Sequence, residues 1–308
     1  MRLVIVRSGL GEAIHDVDVY AVDAAGNELL SSGDPDHPMY YRSAVKPFQA
    51  TIAIEAGLQI PPEHLAVVCA SHGGWPVHLA TVRAILGTAG LDEAALQTPP
   101  AWPFSVGATA LRQQRGARHP RSIFHNCSGK HAGMLAACVA AGWPTETYLE
   151  PDHPLQVGIV ELIADVTGVP ATPAGVDHCG AQATRGTVKG LALAFARLTV
   201  DNRFAMAADA VARFPSLVAD NERPEGLLGR WWGGPVKVGA LGTIGLGRHG
   251  VGIATKARTG DNGAAVAAAV SAADQLGLIS DATREALSEV AEATVLGGGR
   301  PVGAVIRA

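Results

Sequence analysis

Arg42-Ser43-Ala44-Val45-Lys46-Pro47 marks the point where one kind of sequence gives way to another. Upstream, Leu3 to Val6 and the alternating Ile14 to Val22 read as strands, with a turn at Ala24-Ala25-Gly26-Asn27 and a further strand from Glu28 to Ser31. Downstream, as far as about Phe214, helical patterns dominate: Val77 to Leu86, Ser128 to Ala141, Leu155 to Thr167 and Gly180 to Leu198, separated by Pro- and Gly-rich loops. After Arg230-Trp231-Trp232-Gly233-Gly234-Pro235 the strand character returns at Val236 to Ala240 and Val251 to Lys256. Ala-rich helices and a last strand, Val302 to Ile306, follow. The pattern predicts an α/β (α+β) fold in which an antiparallel sheet drawn from both termini, residues 1–42 and 230–308, frames a mainly helical region, 43–229. No low-complexity linker or internal repeat divides the chain, so 1–308 reads as a single domain.

With 308 residues, 48% of them hydrophobic and 17% charged, the chain can bury a large core, which excludes general disorder. The net charge of -4, without a basic run interleaved with aromatics, excludes the electrostatic footprint of a nucleic-acid binder. A small-molecule ligand is expected instead. No stretch is long and apolar enough for a signal segment or a membrane span, so a cytoplasmic protein with no membrane partner is expected. Four cysteines, Cys69, Cys127, Cys138 and Cys179, are too few for a disulfide framework and leave buried thiols or metal ligands.

Five segments carry chemistry. Pro47 requires a helix to begin near Ser43 or Ala44, because proline is tolerated only where a backbone N–H lacks a helical partner. Ser43 and Lys46 then share a face at i, i+3, and a neutral Lys46 could take the serine proton. Bringing a lysine from about 10.4 to about 7 needs about 4 to 5 kcal/mol of destabilisation of the cation, which burial or a second cation can supply. His125-Asn126-Cys127-Ser128-Gly129-Lys130-His131-Ala132-Gly133-Met134 packs a thiol, an amine and imidazoles into a helix start. Cys138 and Cys69 read as core. Cys127 with Gly175-Val176-Asp177-His178-Cys179-Gly180 offers a zinc site, and ligand preference alone selects Cys127, His131, His178 and Cys179. Ser71, in Cys69-Ala70-Ser71-His72-Gly73-Gly74, and Lys256, at the end of a late strand, follow Ser43 and Lys46 in the chain order of serine β-lactamases and penicillin-binding proteins.

Together these segments resemble the L-asparaginase II family, the rhizobial-type (class 3) asparaginases, over nearly the whole chain. The resemblance implies a serine β-lactamase/penicillin-binding-protein-like fold, a homodimer, and hydrolysis of L-asparagine to aspartate and ammonia. It implies Ser43 as nucleophile with Lys46 as its base, and Ser71 with Lys256 as a second Ser–Lys pair. Arg42, His72 and His131 are expected at the substrate. Zn2+ is expected on Cys127, Lys130 and Cys179, with Asp177 holding a ligating water, so that Lys130 displaces His131 from the ligand set. The chain departs from the family pattern at Trp75, at Gln97-Thr98-Pro99-Pro100-Ala101-Trp102, at His178, and at Leu241, where a glutamate is expected. These changes make the expected site more apolar. The alternatives are a β-lactamase-like serine acylase on another amide, which lacks a Lys-Thr-Gly run here, and a zinc-binding relative with little activity.

Overall fold

The computed structural model describes residues 1–308, and the alternation at residues 17–22 is its centre. Successive side chains of a strand point to opposite faces, and here both faces are covered. Val17, Val19 and Ala21 enter one core while Tyr20 and Val22 enter another. The sheet is built from β1 (Arg2–Arg7), β2 (Leu10–Asp23) and β3 (Glu28–Ser32) at the start of the chain. Three short pairing segments, β4 (Met39–Tyr40), the β5 and β6 hairpin (Gly175–Val176, Gln182–Ala183) and β7 (Arg185–Gly186), lie outside it. The C-terminal part adds β8 (Val236–Gly239), β9 (Thr243–Arg248), β10 (Val251–Ala257), β11 (Thr294–Gly297) and β12 (Arg300–Arg307). The order is β11-β12-β1-β2-β10-β9-β8, with β3 also on β2 and every pair antiparallel. The sheet is therefore assembled from both ends of the chain, as the sequence pattern predicted.

The inserted region holds α1 (Lys46–Glu55), α2 (Pro62–Cys69), α3 (Pro76–Thr88), α4 (Val106–Gln114), α5 (Ser128–Ala141) and α6 (Pro154–Thr167). It continues with α7 (Val188–Leu198), α8 (Ala205–Arg213), α9 (Pro215–Val218) and α10 (Pro224–Trp232). The larger core lies among these helices, and the smaller one lies on the opposite face of the sheet under the Ala-rich α11 (Asn262–Gln275). There Thr255 Oγ1 donates to the Ala265 carbonyl at 2.7 Å, which ties the sheet to α11. The short helices α12 (Asp281–Ala286) and α13 (Ser288–Ala291) complete that layer.

Three expectations need correction. The helix predicted from Gly180 begins only at Val188, because Thr187 caps it by accepting the Gly190 N–H at 3.0 Å and Arg185–Gly186 pairs with β4. The α-helix at the first motif begins at Lys46 and is preceded by a 3-10 turn over Arg42–Val45. Finally, β9 and β11 were not expected, because glycines break the strand pattern of Thr243-Ile244-Gly245-Leu246-Gly247 and of Gly297-Gly298-Gly299. Packing explains β9. A Cβ at Gly245 would lie 2.3 Å from the Phe195 ring, one at Gly247 2.3 Å from the Phe195 carbonyl oxygen, and one at Gly252 of β10 only 1.9 Å from that of Ala192. The glycines let α7 lie with its backbone against the sheet.

Two glycines of α5 place the chemistry. Cβ atoms at Gly129 and Gly133 would come within 2.3 Å of the Val67 carbonyl oxygen and 2.7 Å of Val68 Cγ1. The close approach of α5 to α2 sets the N-terminus of one helix beside the C-terminus of the other. Cys127, Lys130 and the segment leading from Cys69 to Ser71 thereby become neighbours.

Candidate active site

Period-two alternation along β8 puts Val236 into the α11 core and turns Lys237 and Gly239 toward the helical region. Gly239 has to be glycine, since a Cβ there would stand 2.6 Å from the Tyr41 carbonyl oxygen. The turn carrying Ser43 therefore lies directly against β8. Arg42 adopts a left-handed backbone, φ 52°, an uncommon conformation for a non-glycine residue. Its guanidinium is fixed by Asp177, with Nη2 2.7 Å and Nε 2.9 Å from the same carboxylate oxygen.

Lys46, one turn beyond Ser43, is 1% exposed. Its Nζ donates to the Ala70 carbonyl at 2.5 Å, to Ser71 Oγ at 3.3 Å and to Cys127 Sγ at 3.2 Å. A second buried lysine reaches the same serine: Lys237 Nζ lies 3.0 Å from Ser71 Oγ and 2.8 Å from the Val238 carbonyl oxygen. Burial, followed by repulsion from Lys46 and Arg223, holds the Lys237 pKa well below the ordinary lysine value, so the amine is driven toward its neutral form. Ser71 is itself fixed through its backbone, which donates to the Val218 carbonyl at 3.2 Å and accepts from Arg223 at 2.7 Å.

Lys256 does not take the position expected of it. It stands on β10, where its ammonium donates to the Leu241 carbonyl, and the lysine on Ser71 is Lys237. Both lysines sit on late strands, and only the folded sheet separates them. A signal for Lys237 does exist in the sequence: in Val236-Lys237-Val238-Gly239 the lysine alternates with valines that need a core, so it must face the opposite side of the strand.

Cys127, Lys130 and Cys179 do come together. Lys130 Nζ is 3.1 Å from Cys179 Sγ, and the two cysteines are buried in one small cluster with Ala181. A hydrogen bond from Cys127, with the Lys130 charge assisting against the cost of burial, brings the Cys179 thiol down to about 5. Burial disfavours the Lys130 cation, but Cys179, Cys127 and Asp177 outweigh it and raise its pKa. Burial likewise acts to raise Asp177, and the charges of Lys130 and Arg42 reverse this and hold its carboxyl low. Two thiols in contact, one held toward thiolate and touching an amine, form a donor set suited to a soft cation such as zinc. The alternative set with two histidines is not assembled, and no group of three or more His, Cys, Asp or Glu side chains is arranged for a metal. His131 Nδ1 instead meets the Tyr148 hydroxyl at 2.7 Å, and the exposed His178 stacks on His125.

His72 and His131 are both 0% exposed, so neither ring faces the solvent side of the site. Ser128 Oγ donates to the Ile123 carbonyl at 2.8 Å and so accepts from His72 Nε2 at 3.0 Å, which ties α5 to the Ser71 segment. Burial lowers both histidines well below the ordinary imidazole value. The Nε2 atom of His131 has no hydrogen-bond partner. Trp75 is half-buried, with its indole edge against Gly107. Arg42, the first residue of the turn that carries Ser43, lines a cleft of about 270 Å³ together with Leu241 and Lys256.

No curated protein matches the chain. Among solved structures, Mglu in its native form is 16% identical at a TM-score of 0.48, covering 88% of this chain and 66% of that one. Mglu in the presence of NaCl is 18% identical at 0.48, with 62% of that chain covered. A beta-lactamase from Mycobacterium bovis is 16% identical at 0.41, with 84% of this chain and 93% of that one covered. The chain thus spans slightly under two thirds of the length of the first of these Mglu structures. The sequence model of L-asparaginase II matches residues 3–307, a span that takes in both sheet halves, the inserted helices and every segment of the site. The chain therefore belongs to the L-asparaginase II family.

Proposed function

We propose that this protein hydrolyses a small-molecule primary amide and releases ammonia through an acyl-enzyme on Ser43, with L-asparagine the first substrate to assay. The observation that carries the reading is the pair of buried lysines, Lys46 and Lys237, on the single hydroxyl of Ser71 beside the Ser43 turn. Two amines in one buried cluster cannot both hold full positive charge without mutual repulsion, and Lys237 is the one driven toward neutrality. Ser71 is then a bridge over which a proton passes between Lys46 and Lys237.

In the proposed reaction, Lys46 passes a proton across Ser71 to the neutral Lys237 and accepts the Ser43 proton as Oγ forms a bond to the amide carbon. The C–N bond breaks, and ammonia leaves with the proton returned by Lys46. Water then attacks the ester, one of its protons returning through the relay to Ser43 Oγ as the C–O bond breaks, and the product acid loses the other to solvent as it departs as a carboxylate. Arg42, held by Asp177, is the cation offered to a substrate carboxylate. Cys127, Cys179 and Lys130 are the residues that would hold zinc, with Asp177 close to Lys130. A cation bound there supplies positive charge beside Lys46, the hydrogen-bond partner of Cys127, and so favours the neutral amine.

The test is ammonia release by the purified protein from L-asparagine and a panel of small primary amides. Turnover of at least one amide, lost in Ser43→Ala, is expected. A folded protein that turns over none of them would falsify the reading.

A further inference from the structure

The cleft that borders the Ser43 turn at Arg42 presents one sign of charge. His37, Tyr40, Arg42, Leu241, Lys256 and Arg258 bound it, and none of its lining residues is an acid. The acids nearby are already engaged by cations. Asp177 holds Arg42 at 2.7 Å and is balanced on its other side by Lys130. Asp18, the cross-strand partner of Lys256, is taken by Arg258 at 3.0 Å. Asp34 lies 3.9 Å from both Arg258 and His37. Lys256 alone has no acid partner, its ammonium resting on the Leu241 carbonyl.

Leu241 completes the asymmetry. Its backbone, φ 58°, is left-handed and its side chain is 62% exposed, so a wholly apolar group is presented where the cleft is open. A small ω-amide seated with its reactive end at Ser43 would find Lys256 and Arg42 for a carboxylate. An α-ammonium on the same molecule would find cations and a leucine, and would lose water without gaining a partner.

We propose that the site prefers an ω-amide that carries a carboxylate and no ammonium, a dicarboxylic acid monoamide, over the corresponding amino acid. The inference rests on the amide-hydrolysis reading and narrows its substrate class. The probes are succinamate and L-asparagine, which differ only in the α-amine. Equilibrium binding is measured with Ser43→Ala, where chemistry is absent, and ammonia release with the unaltered protein. Succinamate is expected to bind at least about tenfold more tightly, the equivalent of about 1.4 kcal/mol. Adding Lys256→Met weakens succinamate by a similar factor, and adding Leu241→Glu closes or reverses the gap in favour of L-asparagine. Far-UV circular dichroism checks that each variant is folded. Equal or tighter binding of L-asparagine to Ser43→Ala overturns the inference. So does a succinamate preference that survives Leu241→Glu, or failure of both probes to bind. If succinamate binds preferentially and neither amide releases ammonia, the preference stands and the hydrolysis reading alone fails.

Discussion

Replacing Lys237 by Met separates the stability of this site from its chemistry. Methionine matches the length of the lysine stem and leaves it packed in a position that is 1% exposed. The variant loses the amine's two hydrogen bonds, to Ser71 Oγ at 3.0 Å and to the Val238 carbonyl at 2.8 Å. At about 1 kcal/mol each, these amount to about 2 kcal/mol. Against that loss, Ser71 keeps Lys46 as a partner, and the protein no longer has to hold an amine in a place that disfavours its cation. The net change expected is under about 2 kcal/mol in urea unfolding at neutral pH. Activity responds differently. If Lys237 takes part in the proton relay, kcat/KM for ammonia release falls about 10²- to 10⁴-fold, or about 3 to 5 kcal/mol of transition-state stabilisation. Lys237→Arg, which keeps a donor and a charge but cannot become neutral, is expected to be equally inactive. A folded Lys237→Met protein with more than a third of the wild-type kcat/KM would refute the relay, as would full rescue by arginine.

Three further outcomes follow from the same geometry. Gly252→Ala sets a Cβ 1.9 Å from the Ala192 carbonyl oxygen and 2.4 Å from the Ala196 nitrogen, and since backbone cannot swing aside it costs about 3 kcal/mol, seen as a drop of about 5 to 10 °C in Tm; an unchanged melting curve refutes the contact. Because the folded Lys237 pKa lies below its unfolded value, the unfolded chain binds more protons between the two, so stability rises with pH across that interval. Urea midpoints compared at about pH 7 and about pH 9 should show a steeper rise in the wild type than in Lys237→Met, and parallel slopes would contradict the assignment. Zinc added to reduced protein is expected to bind at about one ion per chain and to be lost in Cys179→Ser. Elemental analysis that finds equal zinc in the two proteins removes the thiol site.

What could be read from the sequence depended on whether the cause of a feature was local. Ser128–Ala141 and Pro154–Thr167 announce themselves because their stop signals, Gly142 and Gly168, supply the left-handed residue that ends a helix. Thr243–Arg248 looked unlike a strand because the reason for its glycines is the backbone of α7, far away in sequence. The exchange of Lys256 for Lys237 has the same origin. Both are lysines on late strands, and the choice between them depends on which strand passes the Ser71 segment. The meeting of Cys127, Lys130 and Cys179 came from the family resemblance, whereas ligand preference alone favoured histidines that the fold directs elsewhere: His131 to Tyr148, His178 to His125.

The glycines beneath α7 also bear on how the molecule can move. Where side chains separate two layers, one layer can slide by swapping rotamers, as in shear motions between packed helices. At Gly247 and Gly252 there is no such cushion, because the backbone of α7 rests directly on the sheet. The helical layer and the strands carrying Lys237 and Lys256 must therefore travel as one body. Admission of a ligand to the Ser43 cleft then falls to the segments at its rim, the connection holding His37 and Tyr40 and the tight turn at Leu241.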